Sequence, residues 1–87
     1  MTPVEQHITV KVIVSGQPTS VTVEKKQKVE HLVREALQQS GNKGQPPADW
    51  ELRNSDGALI DQNLTIEAAG IVNGMTLFLS PRAGAGG

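Results

Sequence analysis

The sequence predicts an α+β fold in which one helix packs on one face of a mixed β-sheet. Three observations predict it: apolar residues that alternate before position 25, apolar residues at helical spacing in the middle, and short alternating stretches after position 49. A helix with a single apolar face has to cover the apolar face of a sheet, which gives a two-layer domain. With 87 residues the chain is long enough for one such domain with a modest core.

The first two strands are predicted from their period of two. In residues 7–14 β-branched residues alternate with polar ones, and only Ile13 places an apolar side chain on the polar face. Serine, glycine and proline in residues 15–18 form a turn cluster, after which the alternation resumes in residues 19–24. Residues 7–24 therefore predict a β-hairpin.

One amphipathic helix follows. Its apolar residues are spaced at i, i+3, i+4, i+7 and i+8, and they are Val29, Leu32, Val33, Ala36 and Leu37. We expect the helix to begin near Gln27 and to end at Gly41, where glycine suits a helix C-terminus.

Three further strands are predicted after a loop that contains two prolines. Residues 50–53 alternate, with Trp50 on the core face, and a turn signal at residues 54–57 leads to a short returning strand at 58–61. A last strand at 75–79 buries its apolar face best beside the first strand, in the middle of the sheet. The order ββαβββ with this placement is the β-grasp fold.

Over nearly all of residues 7–87 the sequence resembles ubiquitin and its relatives. "NKGQPP" at 42–47 is similar to the Lys-x-Gly-Ile-Pro-Pro segment of ubiquitin, and "DGALIDQNLTI" at 56–66 is similar to its Gly-Lys-Gln-Leu-Glu-Asp-x-x-Thr-Leu segment. The alternating last strand also leads into a Gly-Gly sequence. The likeness is greatest to bacterial ubiquitin-like proteins that are encoded beside E1-like, E2-like and JAB-type metalloprotease genes.

This resemblance implies a protein modifier, which is not itself an enzyme and needs no cofactor. An E1-like enzyme would adenylate the carboxylate of the terminal glycine, and the acyl group would pass as a thioester, with an E2-like enzyme, to an amine on a target protein. A JAB-type metalloprotease would be a further partner. We expect a disordered segment at residues 1–6, the domain at 7–80 and a flexible tail at 81–87.

The tail carries the residues expected to react. Gly86 and Gly87 have no Cβ to crowd the narrow channel of an activating enzyme, and they are predicted as the conjugation site. Arg82, Gly84 and Ala85 are predicted to be recognised by that enzyme. Because the tail of ubiquitin is basic and contains leucine, we expect the enzymes that act on this tail to be specific for it.

Two other functions remain open at this stage. A β-grasp sulfur carrier would undergo the same adenylation and end as a thiocarboxylate. A non-covalent interaction module would carry a glycine tail with no reactive role, since chain ends tolerate many sequences.

A partner surface is predicted on the open face of the sheet. Phe78 lies opposite the core face of its strand and would adjoin Ile13, although single exposed apolar residues are also common. Arg53 stands near the position of the central outward residue in the recognition patch of ubiquitin, so binding to ordinary ubiquitin receptors is not expected.

The remaining polar candidates are lysines and histidines. The candidate acceptor lysines are Lys11, Lys25, Lys26, Lys28 and Lys43, of which the run at 25–28 is otherwise a solvated edge. His7 and His31 lie on separate elements without cysteine or spaced carboxylates, so no metal site is predicted.

Composition excludes further classes of function. The chain has no cysteine, so disulfides, thiolate catalysis and zinc sites built on cysteine are excluded. Its formal net charge of −1 argues against nucleic acid or an anionic membrane as a partner. The sequence has neither a stretch near the roughly 20 apolar residues of a membrane span nor a recognisable secretory signal. We therefore expect a soluble, cytoplasmic protein with no nucleic-acid or membrane partner.

Overall fold

A computed structural model describes residues 7–82 of the chain. In chain order its elements are β1 (His7–Val14), β2 (Gln17–Glu24), α1 (Val29–Gln39), a 3₁₀ turn (Pro47–Asp49), β3 (Trp50–Arg53) and β4 (Thr76–Pro81). The strands form one sheet in the order β2-β1-β4-β3. The predicted α+β fold, with one helix against a mixed sheet, is confirmed. The expected segment at 1–6 and the residues after Arg82 lie outside the described residues.

The last strand occupies the centre of the sheet, as predicted. β4 runs parallel to β1, with Val12 opposite Leu77, and antiparallel to β3, with Leu52 opposite Leu79. Both edges of β4 are therefore hydrogen-bonded to neighbouring strands. One face packs into the core and the other lies on the open side of the sheet.

The core lies between the sheet and α1. Among residues 7–82 it consists of 17 buried apolar side chains, which are Ile8, Val10, Val12, Val14, Val21, Val23, Val29, Leu32, Val33, Ala36, Leu37, Trp50, Leu52, Ile66, Ile71, Leu77 and Leu79. All five apolar residues of the predicted helix stripe are among them. Trp50 is only 6% exposed, so its predicted place in the core is confirmed.

The helix begins two residues later than predicted. Lys28 has extended backbone (φ −76°, ψ 154°) and forms an isolated antiparallel bridge with Thr65. The backbone N–H of Val29 then donates to the carbonyl of Leu64 at 2.8 Å. The residues before Val29 thus bind the 64–66 segment, which leaves no room for a further helical turn.

The helix ends in a Schellman motif at the predicted glycine. Gly41 has a left-handed backbone (φ 89°), which glycine adopts without a Cβ penalty. The N–H of Asn42 donates to the carbonyl of Leu37 at 2.8 Å, and the N–H of Gly41 donates to that of Gln38 at 3.3 Å. These bonds satisfy two carbonyls that the end of the helix would otherwise leave free.

The β1–β2 hairpin closes through a two-residue turn. Ser15 and Gly16 both have positive φ (49° and 89°), between the paired residues Val14 and Gln17. Two central residues with positive φ define a type I′ turn, whose twist matches that of the strands. Ser15 is the unfavourable member, because a side chain in this conformation is strained.

We expect Ser15→Asn to raise the free energy of unfolding by about 0.5–1 kcal/mol, because asparagine tolerates the left-handed conformation better than serine. Urea unfolding followed by the fluorescence of Trp50 measures the change. Gly16→Ala, at the neighbouring position, is the matched control and should lower the free energy of unfolding. A Ser15→Asn variant no more stable than the parent protein would contradict this account of the turn.

The predicted strand at residues 58–61 is wrong in extent: a single bridge between Arg53 and Leu59 is all that forms. Asn54 closes the preceding turn, since its Oδ1 accepts the N–H groups of Asp56 and Ala58 at 2.9 and 3.0 Å. The N–H of Ile60 also donates to the carbonyl of Leu52 at 2.8 Å. No ladder extends from this bridge, so the described residues form a sheet of four strands and not five.

Candidate functional site

The chain leaves the sheet beside the edge strand β3. Pro81 is opposite Trp50, and the backbone N–H of Arg82 donates to the carbonyl of Asp49 at 2.8 Å. The start of the tail is therefore held against the 3₁₀ turn that precedes β3. The predicted tail residues Gly84, Ala85, Gly86 and Gly87 lie outside the described residues.

The predicted partner-surface residues form one row across the open face of the sheet. Ile13 is opposite Phe78 in the parallel pair, and Phe78 is opposite Arg53 in the antiparallel pair. Phe78 is 43% exposed, whereas Ile13 and Arg53 are half-buried. The sequence placed these residues on one face, and the strand register places them side by side.

Two residues that sequence analysis missed extend this row at both ends. Pro18 is opposite Ile13 on β2, and Leu59 is opposite Arg53 in the isolated bridge. Leu59 is 60% exposed. We call Pro18, Ile13, Phe78, Arg53 and Leu59 the outer row. The turn signal at residues 54–57 indicates that the chain reverses there, and this reversal could have predicted that Leu59 lies opposite Arg53.

Arg53 is held in place within the outer row. Its Nη1 donates to the carbonyl of Gly57 at 2.9 Å, and its Nη2 donates to Oε1 of Glu51 at 3.1 Å. These bonds fix a guanidinium between two exposed apolar side chains. The row therefore offers a partner apolar contacts interrupted by one positioned cation.

The candidate acceptor lysines are spread over the surface. Lys11 is exposed on the open face of the sheet, two residues before Ile13, and Lys43 is exposed in the loop after the helix. Between β2 and α1, Lys26 and Lys28 are exposed and Lys25 is half-buried. Lys26 also lies 3.9 Å from Glu67, an exposed pair that contributes little to stability.

The two histidines lie on separate elements, His7 on β1 and His31 on α1. His7 Nε2 is 3.4 Å from Oε2 of Glu24, and His31 Nε2 is 3.9 Å from Oε2 of Glu35. Within residues 7–82 no group of three metal-ligating side chains comes together. Each histidine instead pairs with one exposed or half-exposed carboxylate.

A cleft of about 480 Å³ lies at the outer edge of β3, and sequence analysis did not predict it. It is lined by Glu30, Ala48, Trp50, Glu51, Leu52, Leu59, Ile60, Asp61, Gln62, Asn63 and Arg82. The helix start, the 3₁₀ turn, β3, the 59–63 segment and the start of the tail thus meet around one concave surface.

Gln62 holds the elements of this cleft together. Its Nε2 donates to the carbonyls of Pro47 and Trp50 at 3.2 and 2.9 Å. Its own carbonyl accepts the backbone N–H of Glu30 at 3.1 Å. One residue therefore joins the 3₁₀ turn, the edge strand and the first turn of the helix.

We expect Gln62→Ala to lower the free energy of unfolding by about 1–2 kcal/mol, because two half-buried backbone carbonyls lose their donor. Thermal and urea unfolding measure the loss. Asn63→Ala, at the exposed neighbouring position, is the control and should change stability by less than about 0.5 kcal/mol. Equal effects of the two substitutions would show that Gln62 does not have this linking role.

Solved structures similar to this one identify the class of fold. A protein designed on the basis of ubiquitin superposes with a TM-score of 0.78 at 24% identity, covering 99% of each chain. The ubiquitin of Caldiarchaeum subterraneum superposes with a TM-score of 0.70 at 20% identity, covering 87% of this chain and 94% of that one. The domain therefore has the ubiquitin-like β-grasp fold.

Sequence comparison then gives the family. The chain belongs to the family described as "Protein of Unknown function (DUF2604)", whose sequence model matches residues 3–87. It is 41% identical over 81 residues to the Uncharacterized protein y4jI of Sinorhizobium fredii. That match covers 92% of this chain and 62% of the relative, so the chain spans about three-fifths of the relative's length. In residues 7–82 the structure has no helix long and apolar enough to cross a membrane.

Proposed function

We propose that this chain is a ubiquitin-like protein modifier that acts in the cytoplasm and is not itself an enzyme. The carboxylate of Gly87 attacks the α-phosphate of ATP on an E1-like enzyme, which releases pyrophosphate and forms an acyl-adenylate. A cysteine thiolate displaces AMP to give a thioester, which passes to an E2-like enzyme. The amine of a target protein then displaces the thiol to form an amide.

The observation that carries this proposal is the path of β4. This strand runs through the centre of a ubiquitin-like sheet and ends at Pro81. The next residue, Arg82, donates its backbone N–H to the carbonyl of Asp49. The sequence continues from that fixed point with alanine and glycine only. A rigid domain followed by a thin segment suits a substrate whose terminal carboxylate has to enter the cleft of another enzyme.

The other roles follow from the same proposal. Arg82, Gly84 and Ala85 are recognised by the activating enzyme, and Gly86 provides steric clearance beside the reacting carbonyl. A JAB-type metalloprotease hydrolyses the amide and so removes the modifier from its targets. The exposed lysines described above accept further copies of the modifier, and the outer row contacts the conjugating enzymes or their partners.

The decisive experiment expresses the tagged protein with candidate E1-like and E2-like enzymes, beside a chain that lacks Gly87. Denaturing gels and mass spectrometry should show reductant-resistant species of higher mass for the parent protein alone. A terminal thiocarboxylate without amide adducts would assign the chain as a sulfur carrier. If neither product forms and partner binding survives the loss of residues 81–87, the chain is a non-covalent interaction module.

A further inference from the structure

The start of the tail is held by a contact with a turn. Pro81 lies opposite Trp50 at the end of the β3–β4 pair, and the N–H of the next residue, Arg82, donates to the carbonyl of Asp49 at 2.8 Å. Asp49 is not part of β3, because it is the last residue of the 3₁₀ turn (Pro47–Asp49). The point at which the chain leaves the sheet is therefore set by this turn.

Local bonds alone hold this turn weakly. The N–H of Asp49 donates to the carbonyl of Pro46 at 3.0 Å, and the N–H of Trp50 donates to that of Pro47. Hydrogen bonds in a 3₁₀ turn have poor geometry, which is why such turns are short. Pro47 is buried, but Ala48 and Asp49 are exposed, so little packing supports the end of the turn that contacts the tail.

The side chain of Gln62 supports the turn from outside. Its Nε2 donates to the carbonyl of Pro47, the first residue of the turn, and to that of Trp50, the residue that follows the turn. In the sequence these two acceptors bracket Asp49. The carbonyl between them is the one that binds Arg82.

Gln62 is fixed in turn to the start of the helix. Its carbonyl accepts the N–H of Glu30 at 3.1 Å, and two residues later the carbonyl of Leu64 accepts the N–H of Val29 at 2.8 Å. The side chain of Val29 is fully buried. A continuous path of hydrogen bonds therefore runs from the buried start of α1, through Gln62 and the turn, to Arg82.

We propose that Gln62 is a positioning residue for the tail, which fixes the point from which the chain continues into residues 83–87. This role rests on the proposed modifier function and deepens it, since the tail is the segment that an activating enzyme takes up. Ordering a backbone on binding costs conformational entropy. Because Arg82 is already held in the free protein, that cost falls on the residues after it.

Two simpler roles for Gln62 predict different results. If Gln62 only stabilises the fold, any substitution that lowers stability equally has the same effect on activation. If it contacts the enzyme directly, its loss weakens binding but leaves the exchange of the Arg82 N–H with water unchanged. A positioning residue has to change both the binding and the exchange.

The first test needs no enzyme and uses the full ¹⁵N-labelled chain. Exchange of an amide with water reports how often its hydrogen bond opens, and we expect Gln62→Ala to speed exchange at Arg82 at least fivefold. Ala36→Gly is the control matched in stability, because glycine is unfavourable in a helix and a buried methyl group is lost. Ala36 does not line the cleft, so this variant should leave the Arg82 rate within twofold.

The second test measures thioester formation on a candidate E1-like enzyme with saturating ATP. We expect Gln62→Ala to raise the KM for the chain at least fivefold and to leave kcat within twofold, because the added cost falls on binding of the tail. Gln62→Glu keeps the size of the side chain, but an ionised carboxylate cannot donate, so it should have the same effect. Ala36→Gly should leave both constants within twofold.

The proposal is overturned if Gln62→Ala leaves the Arg82 exchange rate unchanged, or if Ala36→Gly matches Gln62→Ala in either test. A fall in kcat at constant KM also overturns it. A parent chain that forms no thioester refutes the modifier function instead. Faster exchange at Arg82 in the Gln62→Ala variant alone then still supports Gln62 as the residue that fixes the start of the tail.

Discussion

Gly86→Val is expected to lower the rate of conjugation at least about 100-fold, the loss typical when a reacting group is displaced by about 1 Å. Valine adds a branched Cβ next to the carbonyl that must reach the nucleotide and then the cysteine of the activating enzyme. Under the proposed modifier function glycine is required at this position, because a residue without a Cβ lets the walls of a narrow channel approach the backbone closely. Single-turnover formation of the thioester, followed on non-reducing gels, measures the loss.

Stability should be unaffected by this substitution. Among the described residues, the buried apolar core ends at Leu79, well before Gly86. We therefore expect Tm to stay within about 1 °C, since surface changes away from a core usually have small effects. A large fall in Tm would mean that the tail is part of the folded domain.

Ala83→Val is the matched control for the tail. It adds two methyl groups to a Cβ that is already present, three residues earlier and farther from the reacting carboxylate, whereas Gly86→Val adds the Cβ as well. We expect it to reduce the rate much less than Gly86→Val does. Normal conjugation by the Gly86→Val variant would contradict the assignment of Gly87 as the acyl donor.

Strand parity explains why part of the candidate site could be predicted from the sequence. Successive side chains of a strand point to opposite faces, so the buried neighbours of Ile13 and Phe78 place both on the open face. Their contact as neighbours in a row depends on register between strands more than 60 residues apart. The alternation of side chains within one strand carries no information about that register. Only the parallel pairing of β1 with β4 in the structure shows that Ile13 and Phe78 are opposite each other.

The cleft could not be predicted because distant side chains build it. Gln62 binds the carbonyl of Pro47, which is 15 residues away, and nothing in the local sequence distinguishes it from an ordinary loop residue. The missing fifth strand has a similar cause. A turn signal and alternating residues indicated a returning strand, but the side chain of Asn54 completes a turn after which one bridge forms.

Leu77→Ala is expected to have the largest effect on stability, lowering the free energy of unfolding by about 3–5 kcal/mol. Leu77 is fully buried on the central strand and is opposite Val12 on β1. Strands on both sides of β4 restrict collapse around the space that the truncation leaves, so the cavity term adds to the loss of apolar burial. That loss is a large share of the roughly 5–15 kcal/mol of a typical domain.

Phe78→Ala provides the control, because Phe78 is the next residue and lies on the opposite face of the same strand. It removes more atoms than Leu77→Ala, but its side chain is 43% exposed and faces the open side of the sheet. We therefore expect a loss of less than about 1.5 kcal/mol, in the range of partly exposed positions. Urea unfolding monitored at Trp50 compares the two directly. If Phe78→Ala cost as much as Leu77→Ala, the open face would be packed against something in the free protein. A small effect on stability, combined with loss of binding to conjugation partners, would instead assign Phe78 to recognition.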